Sequence, residues 1–111
     1  MQSTAKLRAA RISAQKARLV ADLVRGKHVE EAIEVLSFTN KKAASIILKL
    51  LNAAIANAEN NRGANIDELY IAEIYIGEGM TMKRFSARAK GRGNRIFKRT
   101  SNIFLRVQER Y

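Results

Sequence analysis

The segment that decides the architecture of this chain is MKRFSARAKGRGNRIFKRTSN, residues 82–102. It holds eight Lys or Arg residues and neither Asp nor Glu. Its few large apolar residues do not keep to one side, so it cannot fold onto a core of its own. Gly91 and Gly93 lie near its middle, where a turn needs permissive backbone. We expect this segment to hold one shape only where negative charge surrounds it on more than one side.

Two apolar segments flank the basic segment and are typical of β-strands. LYIAEIYI, residues 69–76, is rich in β-branched and aromatic residues. The residues that alternation places on one face of this strand are Tyr70, Ala72, Ile74 and Ile76. A second strand is predicted after the basic segment, where Ile103, Leu105 and Val107 alternate with more polar residues. The simplest topology is one antiparallel pair with a very long connection.

A connection of this length without structure would be unusual in a compact protein. The alternative is that both strands continue outward as a hairpin arm. About ten residues in each strand of the arm would reach roughly 30 Å. Neither face of such an arm would be apolar, and an isolated two-stranded hairpin is only marginally stable in water.

Helical patterns precede these strands. Residues 4–12 are either a short polar strand or an extended lead-in. Ser13 is predicted to cap a helix that runs to about Arg25 and ends at Gly26. The apolar stripe predicted for this helix is Leu19, Val20, Leu23 and Val24.

Two further helices are predicted. Residues 29–36 form a short one, with Glu30 and Glu31 in the first turn, where the helix dipole favours anions. A third helix, capped by Thr39 or Asn40, runs to about Asn61. The residues that helical spacing places on its buried face are Ala43, Ile47, Leu50, Leu51, Ala54, Ile55 and Ala58.

Composition limits the class of protein. The 111 residues, of which 47% are hydrophobic, predict one domain with a modest core. The sequence holds no cysteine, so disulfides and thiolate metal sites are excluded. The N-terminal residues show no apolar run of signal-peptide length, and no stretch is long and apolar enough to span a membrane. We expect a soluble intracellular protein.

Charge is the strongest signal, with 21 basic and 10 acidic residues and a net charge of +11. Residues 1–27 carry a net charge of +6, residues 28–79 carry −4, and residues 80–111 carry +9. The two ends therefore generate the positive field. A basic surface of this size attracts polyanions, and nucleic acid is the commonest polyanion in a cell.

The sequence offers no constellation for catalysis. Its single histidine, His28, is predicted to be a surface residue between helices, and Glu30 and Glu34 are interpreted as solvated helix residues. A lone Gly91-Arg92-Gly93 without a strand-to-helix context is weak evidence for a phosphate loop. We expect no catalytic residues, no metal site and no cofactor.

Three blocks resemble one known family. They are SAQKARLVADLVRGK at 13–27, AIANAENN at 54–61, and the basic segment at 82–102. In order and spacing they are similar to the bacterial large-subunit ribosomal protein family whose hairpin lines the polypeptide exit tunnel, the twenty-second protein of that subunit. The resemblance implies an α+β fold of three helices packed on a small three-stranded antiparallel sheet, with a long extended β-hairpin. The expected organisation is a single domain, 1–111, with a globular body at 1–79 and 101–111 and the basic hairpin at 80–100.

The resemblance also implies a function. Such a protein is a structural constituent of the large (50S) subunit in the cytoplasm, binds 23S rRNA across several RNA domains, and acts early in subunit assembly. Its other partners would be neighbouring large-subunit proteins and the nascent polypeptide, without membrane binding or homo-oligomerisation. The hairpin tip, at Arg88, Lys90, Gly91 and Arg92, would face the tunnel near the macrolide site. The rRNA-binding residues predicted from charge and resemblance together are Arg8, Arg11, Lys16, Arg18, Arg25, Lys27, Lys83, Arg84, Arg88, Arg95, Lys98 and Arg99.

Other classes of function have weaker support from the sequence. A free nucleic-acid-binding module, such as an RNA chaperone or an architectural DNA protein, would bind many sequences without co-sedimenting with ribosomes. An enzyme would need a cluster of reactive side chains that the sequence lacks. Membrane-surface binding through the third helix would need more lysines on its polar face.

Overall fold

A computed structural model describes residues 2–63, 65–79, 82–88, 92–98 and 100–109. Three helices lie on one side of a three-stranded antiparallel sheet, and a separate two-stranded ladder forms the hairpin. The α+β fold expected from the sequence is therefore confirmed. In chain order the elements are β1 (Gln2–Ala10), α1 (Ala14–Val24), α2 (Val29–Phe38), α3 (Lys42–Arg62), a 3-10 turn (Ile66–Glu68), β2 (Leu69–Glu78), β3 (Met82–Arg88), β4 (Arg92–Lys98) and β5 (Ser101–Glu109).

The central strand of the sheet is β5, which pairs with β1 on one edge and β2 on the other. Leu105 shows the arrangement, since it lies opposite Ala5 of β1 and Ile74 of β2. Of the two interpretations left open for residues 4–12, the strand is correct. Its partner lies at the far end of the chain, so local sequence could not decide between them.

One face of the sheet packs against the helices. The sheet residues that α1 and α3 cover are Ala5, Leu69, Ile71, Ile74, Ile76, Ile103, Leu105 and Val107. All seven residues predicted for the buried face of α3 are buried. This helix lies over β1 and β5, whereas α1 lies over β2. The long apolar face of α3 therefore packs on the central strand, β5, and on its neighbour β1.

A β-bulge in β2 overturns part of the predicted strand pattern. Register with β5 shifts between Ile71 and Glu73, so one extra residue stands on β2. Before the bulge Leu69 and Ile71 point to the core, and after it Ile74 and Ile76 do. Tyr70 and Ala72 were therefore assigned to the wrong face. A bulge reverses the alternation of side chains, which a strict two-residue period cannot represent.

The apolar stripe predicted for α1 is also partly wrong. Val20 and Val24 are fully buried, but Leu19 is 57% exposed and Leu23 is 45% exposed. Small residues take their place against the sheet, namely Ala14, Ala17 and Ala21. Alanine lets the helix approach β2 closely, so the buried face is centred on alanines and not on the largest apolar side chains.

Helix ends agree with the sequence at most positions. Ser13 caps α1 by accepting a hydrogen bond from the Lys16 amide, and Gly26 follows the helix with a φ of +77°. The cap predicted for α3 is wrong, because Lys41 occupies the N-cap without a side-chain bond. Thr39 instead donates its hydroxyl to the Val35 carbonyl at the end of α2, 2.7 Å away. That helix extends two residues beyond its predicted end.

The hairpin leaves the body between β2 and β5. We call residues 2–63, 65–79 and 100–109 the body, and strands β3 and β4 the arm. Seven residue pairs join the arm strands, from Met82 opposite Lys98 to Arg88 opposite Arg92. At the base of the arm the Gly79 amide donates to the Thr100 carbonyl at 2.9 Å. The long dimension of the molecule is 64 Å, against 26 and 17 Å in the other two directions.

A side chain at Gly79 should destabilise the base of the arm. A Cβ added there would lie 2.5 Å from the Thr100 hydroxyl and 3.2 Å from its carbonyl carbon, whereas a Cβ added at Gly77 meets nothing within 4 Å. We expect Gly79→Ala to lower the free energy of unfolding by about 1–3 kcal/mol, because the Thr100 side chain must move and the two backbone segments must shift apart slightly. Gly77→Ala, the matched control, should change it by less than about 0.5 kcal/mol. Urea denaturation measures both, and equal stabilities would show that the strands do not approach as described.

Candidate nucleic-acid interface

Three of the predicted RNA-binding cations extend freely from the body. Arg8 lies near the end of β1, Arg11 lies in the turn that follows it, and Lys16 lies in the first turns of α1. All three are exposed, and within the described part of the chain their side chains form no hydrogen bond or ion pair. Their charges are therefore available to an external anion.

Two other predicted cations, Arg18 and Arg25, have a structural role. Arg18 donates from Nη2 to the Ile76 carbonyl at 3.0 Å, and Arg25 donates from Nη2 to the Ile74 carbonyl at 2.7 Å. Both carbonyls lie on the outer edge of β2, which no other strand covers among the described residues. Unpaired edge groups attract foreign strands, so the two arginines protect this edge as well as holding α1 to the sheet.

The rest of that edge is also occupied. The Ile71 amide donates to the Lys27 carbonyl at 2.9 Å, and the Gly26 amide donates to the Ile71 carbonyl at 3.2 Å. The Lys27 side chain is half-buried and forms an ion pair with Glu31, with 3.2 Å between Nζ and Oε1. Lys27 therefore presents less free charge than its sequence position predicts.

The arm places five more of the predicted RNA-binding cations along two paired strands. Lys83, Arg84 and Arg88 occupy positions in β3, and Arg95 and Lys98 occupy positions in β4. Lys90, Gly91 and Arg99 lie outside the described residues. Seven pairs correspond to about 20 Å of ladder, so cations separated in sequence share one short length of structure.

Sequence reasoning missed the outer face of the sheet. On this face, opposite the helices, Tyr75 of β2 and Phe104 of β5 stack with ring centroids 4.7 Å apart. Lys6 of β1 lies over the Phe104 ring, with Nζ 5.7 Å from its centroid. The exposed lysines Lys41, Lys42 and Lys49 of the α3 region were also omitted. The alternating charges of β1 were a signal for the sheet face, but the pairing that joins it to the rings is not local.

The model of the family described as ribosomal protein L22p/L17e matches residues 5–108. The chain belongs to this family. It is therefore a structural constituent of the large ribosomal subunit, an RNA-binding protein of translation that is located in the ribosome. The L22p/L17e family is one of structural proteins and not of enzymes. Ribosomal RNA and other ribosomal proteins are the partners that membership implies.

His28 has a structural position in this family member. Its Nδ1 accepts from the Glu30 amide at 3.4 Å and so caps α2, while its Nε2 contacts the Asp67 carbonyl. The ring is half-buried, so the sequence prediction of a surface residue understated its contacts. In the described part of the chain, no group of three or more His, Cys, Asp or Glu residues could hold a metal ion.

Membrane insertion through a helix finds no support among the described residues. The longest helix, α3, is too polar to cross a bilayer, and the other two are short.

Substitution of Arg25 and of Lys16 should distinguish a cation that stabilises the fold from one that binds RNA. Arg25→Ala removes a bond to the β2 edge, so we expect a loss of about 1 kcal/mol in the free energy of unfolding. Its exposed contact with Asp22 should add little. Lys16→Ala should leave stability within about 0.5 kcal/mol and reduce the salt slope of RNA binding by about one. Urea denaturation and RNA titration give the two values, and equal stability losses would contradict the division.

Proposed function

We propose that this protein binds the 23S-type RNA of the large subunit through two separate positive surfaces and acts early in subunit assembly. The supporting observation is the distribution of free charge. Exposed, unpaired cations extend from the body at Arg8, Arg11 and Lys16, and the arm carries a second set on its ladder. Between them, residues 28–79 carry a net charge of −4. Two positive surfaces on one protein can hold two segments of RNA together.

The charge of the arm favours folded RNA as its surroundings. The segment that forms it holds eight cations and no acid, so the strands repel each other in water at close range. A two-stranded ladder lacks the core that would offset this repulsion. Phosphates on more than one side would neutralise the cations, whereas one groove of DNA would reach only part of the arm. Folded RNA provides such an enclosure.

The family resemblance supports a position for the arm in the subunit. We propose that the body lies at the subunit surface, among neighbouring ribosomal proteins, and that the arm extends along the polypeptide exit tunnel. Its end, at Arg88, Lys90, Gly91 and Arg92, would face the nascent chain and lie near the macrolide site. The whole chain, 1–111, would act as one domain in the cytoplasm and would not form homo-oligomers. The arm would then have a base held by RNA and an end open to water.

RNA affinity should depend steeply on salt. If about eight phosphates are neutralised, the plot of log K against log[salt] should have a slope of roughly −6 to −7, because each contact releases counterions. Filter binding of the full chain to large-subunit rRNA over a series of potassium concentrations measures this slope. A slope near zero would exclude the basic surfaces as the contact.

The two parts of the arm should differ in their effects. A cation at the open end is partly screened and hydrated, so Lys90→Ala or Arg92→Ala should leave incorporation into the large subunit nearly normal. The same changes should alter macrolide sensitivity or stalling by particular nascent peptides. Combined replacement of Arg84, Lys98 and Arg99 by Ala should instead impair incorporation first. Gradient sedimentation and drug response in cells measure the two effects.

The wild-type chain is the reference for both variant sets and should co-sediment almost wholly with the large subunit. A wild-type chain found mainly outside the ribosome would refute the proposed function itself. If the end variants fail to assemble while the base variants assemble normally, the proposed orientation of the arm in the tunnel is wrong.

A further inference from the structure

The outer face of the three-stranded sheet forms an ordered surface of aromatic and basic groups. Strand register places Lys6, Phe104 and Tyr75 in one row across the three strands. Towards the arm, Gly77 lies opposite Asn102 in the next row, with Arg8 on the neighbouring part of β1. The helices cover the opposite face of the sheet, so this side belongs to the surface of the body.

The aromatic pair is only partly shielded from solvent. Tyr75 remains 55% exposed although its ring stacks on Phe104 at 4.7 Å with an interplanar angle of 22°. Lys6 covers the other side of the pair, with its ammonium 5.7 Å from the Phe104 centroid, within the range of a cation–π contact. The stack is therefore fixed from the β1 side and open at Tyr75.

A recess of about 290 Å³ adjoins the stack. Gly77 contributes no side chain, and a Cβ built there would meet only open space. Asn102 forms part of the recess, and its Oδ1 accepts from the Ala9 amide at 3.0 Å, which holds the amide group in place. The recess therefore combines an aromatic wall with a fixed polar group, and Arg8 lies at its rim.

The far end of the same face is closed by internal bonds. Arg106 donates to Gln2 at 2.9 Å, to Gln108 at 2.5 Å and to Glu73 at 3.1 Å. Its charge is therefore satisfied within the protein. The cations left for a ligand, Lys6 and Arg8, both lie on β1 beside the recess, so the free charge of this face is concentrated at one end.

We propose that this face binds an unpaired nucleotide of RNA, with its base in the recess against Tyr75 and its phosphates near Lys6 and Arg8. The inference rests on the proposed RNA-binding function and adds a contact that reads a base instead of the backbone. Sheet aromatics that stack exposed bases, flanked by basic side chains, are a common way to hold single-stranded RNA. The site would recognise a flipped-out or looped nucleotide and not a continuous duplex.

The chemistry of the face favours a nucleotide over an acidic protein segment. Carboxylates would pair with Lys6 and Arg8 but would leave the Tyr75 ring uncovered. A base has a π-face for that ring and polar edges for the Asn102 side chain, and its backbone carries the charge that the two cations need. One ligand therefore satisfies all the groups.

The test compares strands with and without bases, using the isotope-labelled full chain. We expect eight-residue oligouridine to shift the amide signals of Gly77 and Asn102, and the abasic octamer to leave them nearly unchanged. Tyr75→Leu should weaken oligouridine binding at least about fivefold without affecting the abasic strand. Gly77→Val, which fills the recess, should also weaken oligouridine binding.

Two further variants complete the design. Tyr75→Phe keeps the ring and should bind oligouridine like the wild type. Phe38→Leu removes an aromatic ring that is 84% exposed at the end of α2, away from the sheet, and should change nothing. Urea denaturation of each variant verifies that it is folded.

The possible results separate this inference from the proposed function. Equal shifts with both strands would mean that the face attracts charge alone, and shifts with octaglutamate but not with oligouridine would assign it to a protein partner. Either result, or RNA binding with silent Gly77 and Asn102 signals, overturns the inference alone. A wild-type chain that binds neither strand nor rRNA would overturn the proposed function as well.

Discussion

The pairing of β5 with two strands from distant parts of the chain is the constraint on which the rest of the fold depends. Its apolar face, with Ile103, Leu105 and Val107, is fully covered by the helices. Because β2 and β5 are antiparallel neighbours, the chain between them must leave and return at one end of the sheet. That geometry projects the arm, and the close contact of Gly79 with Thr100 holds its two strands together at the base.

Positive charge serves two purposes in this protein. Arg18 and Arg25 donate hydrogen bonds to carbonyls on the open edge of β2, so these two cations contribute to the fold. Arg8, Arg11 and Lys16 have no such role within the described part of the chain. The fold and the proposed RNA binding therefore use different cations. The structural arginines stabilise an edge strand that would otherwise be open to association, and the free cations remain for phosphate.

The two faces of the sheet carry different chemistry because side chains alternate along each strand. The inner face is aliphatic and packs on α1 and α3, while the outer face joins Lys6, Phe104 and Tyr75. The bulge at Ala72 contributes directly to this arrangement. It returns Ile74 to the core and so directs Tyr75 outward, where it meets Phe104. The candidate base-binding face therefore depends on an irregularity of one strand.

The sequence by itself determined the three helices, the strands β2 and β5, the buried face of α3, the existence of the arm and the positive charge of the two ends of the chain, since periodicity, turn residues and charge are local properties. It identified the Lys and Arg residues predicted to contact RNA phosphates, but it did not identify which of them also stabilise the fold. Only the tertiary structure decided that β1 joins the sheet, that Leu19 and Leu23 stay exposed, and that Arg18 and Arg25 bind strand carbonyls. Each of these depends on a partner many residues away. Contacts of that kind are set by how packed elements meet, which no pattern within a single element contains.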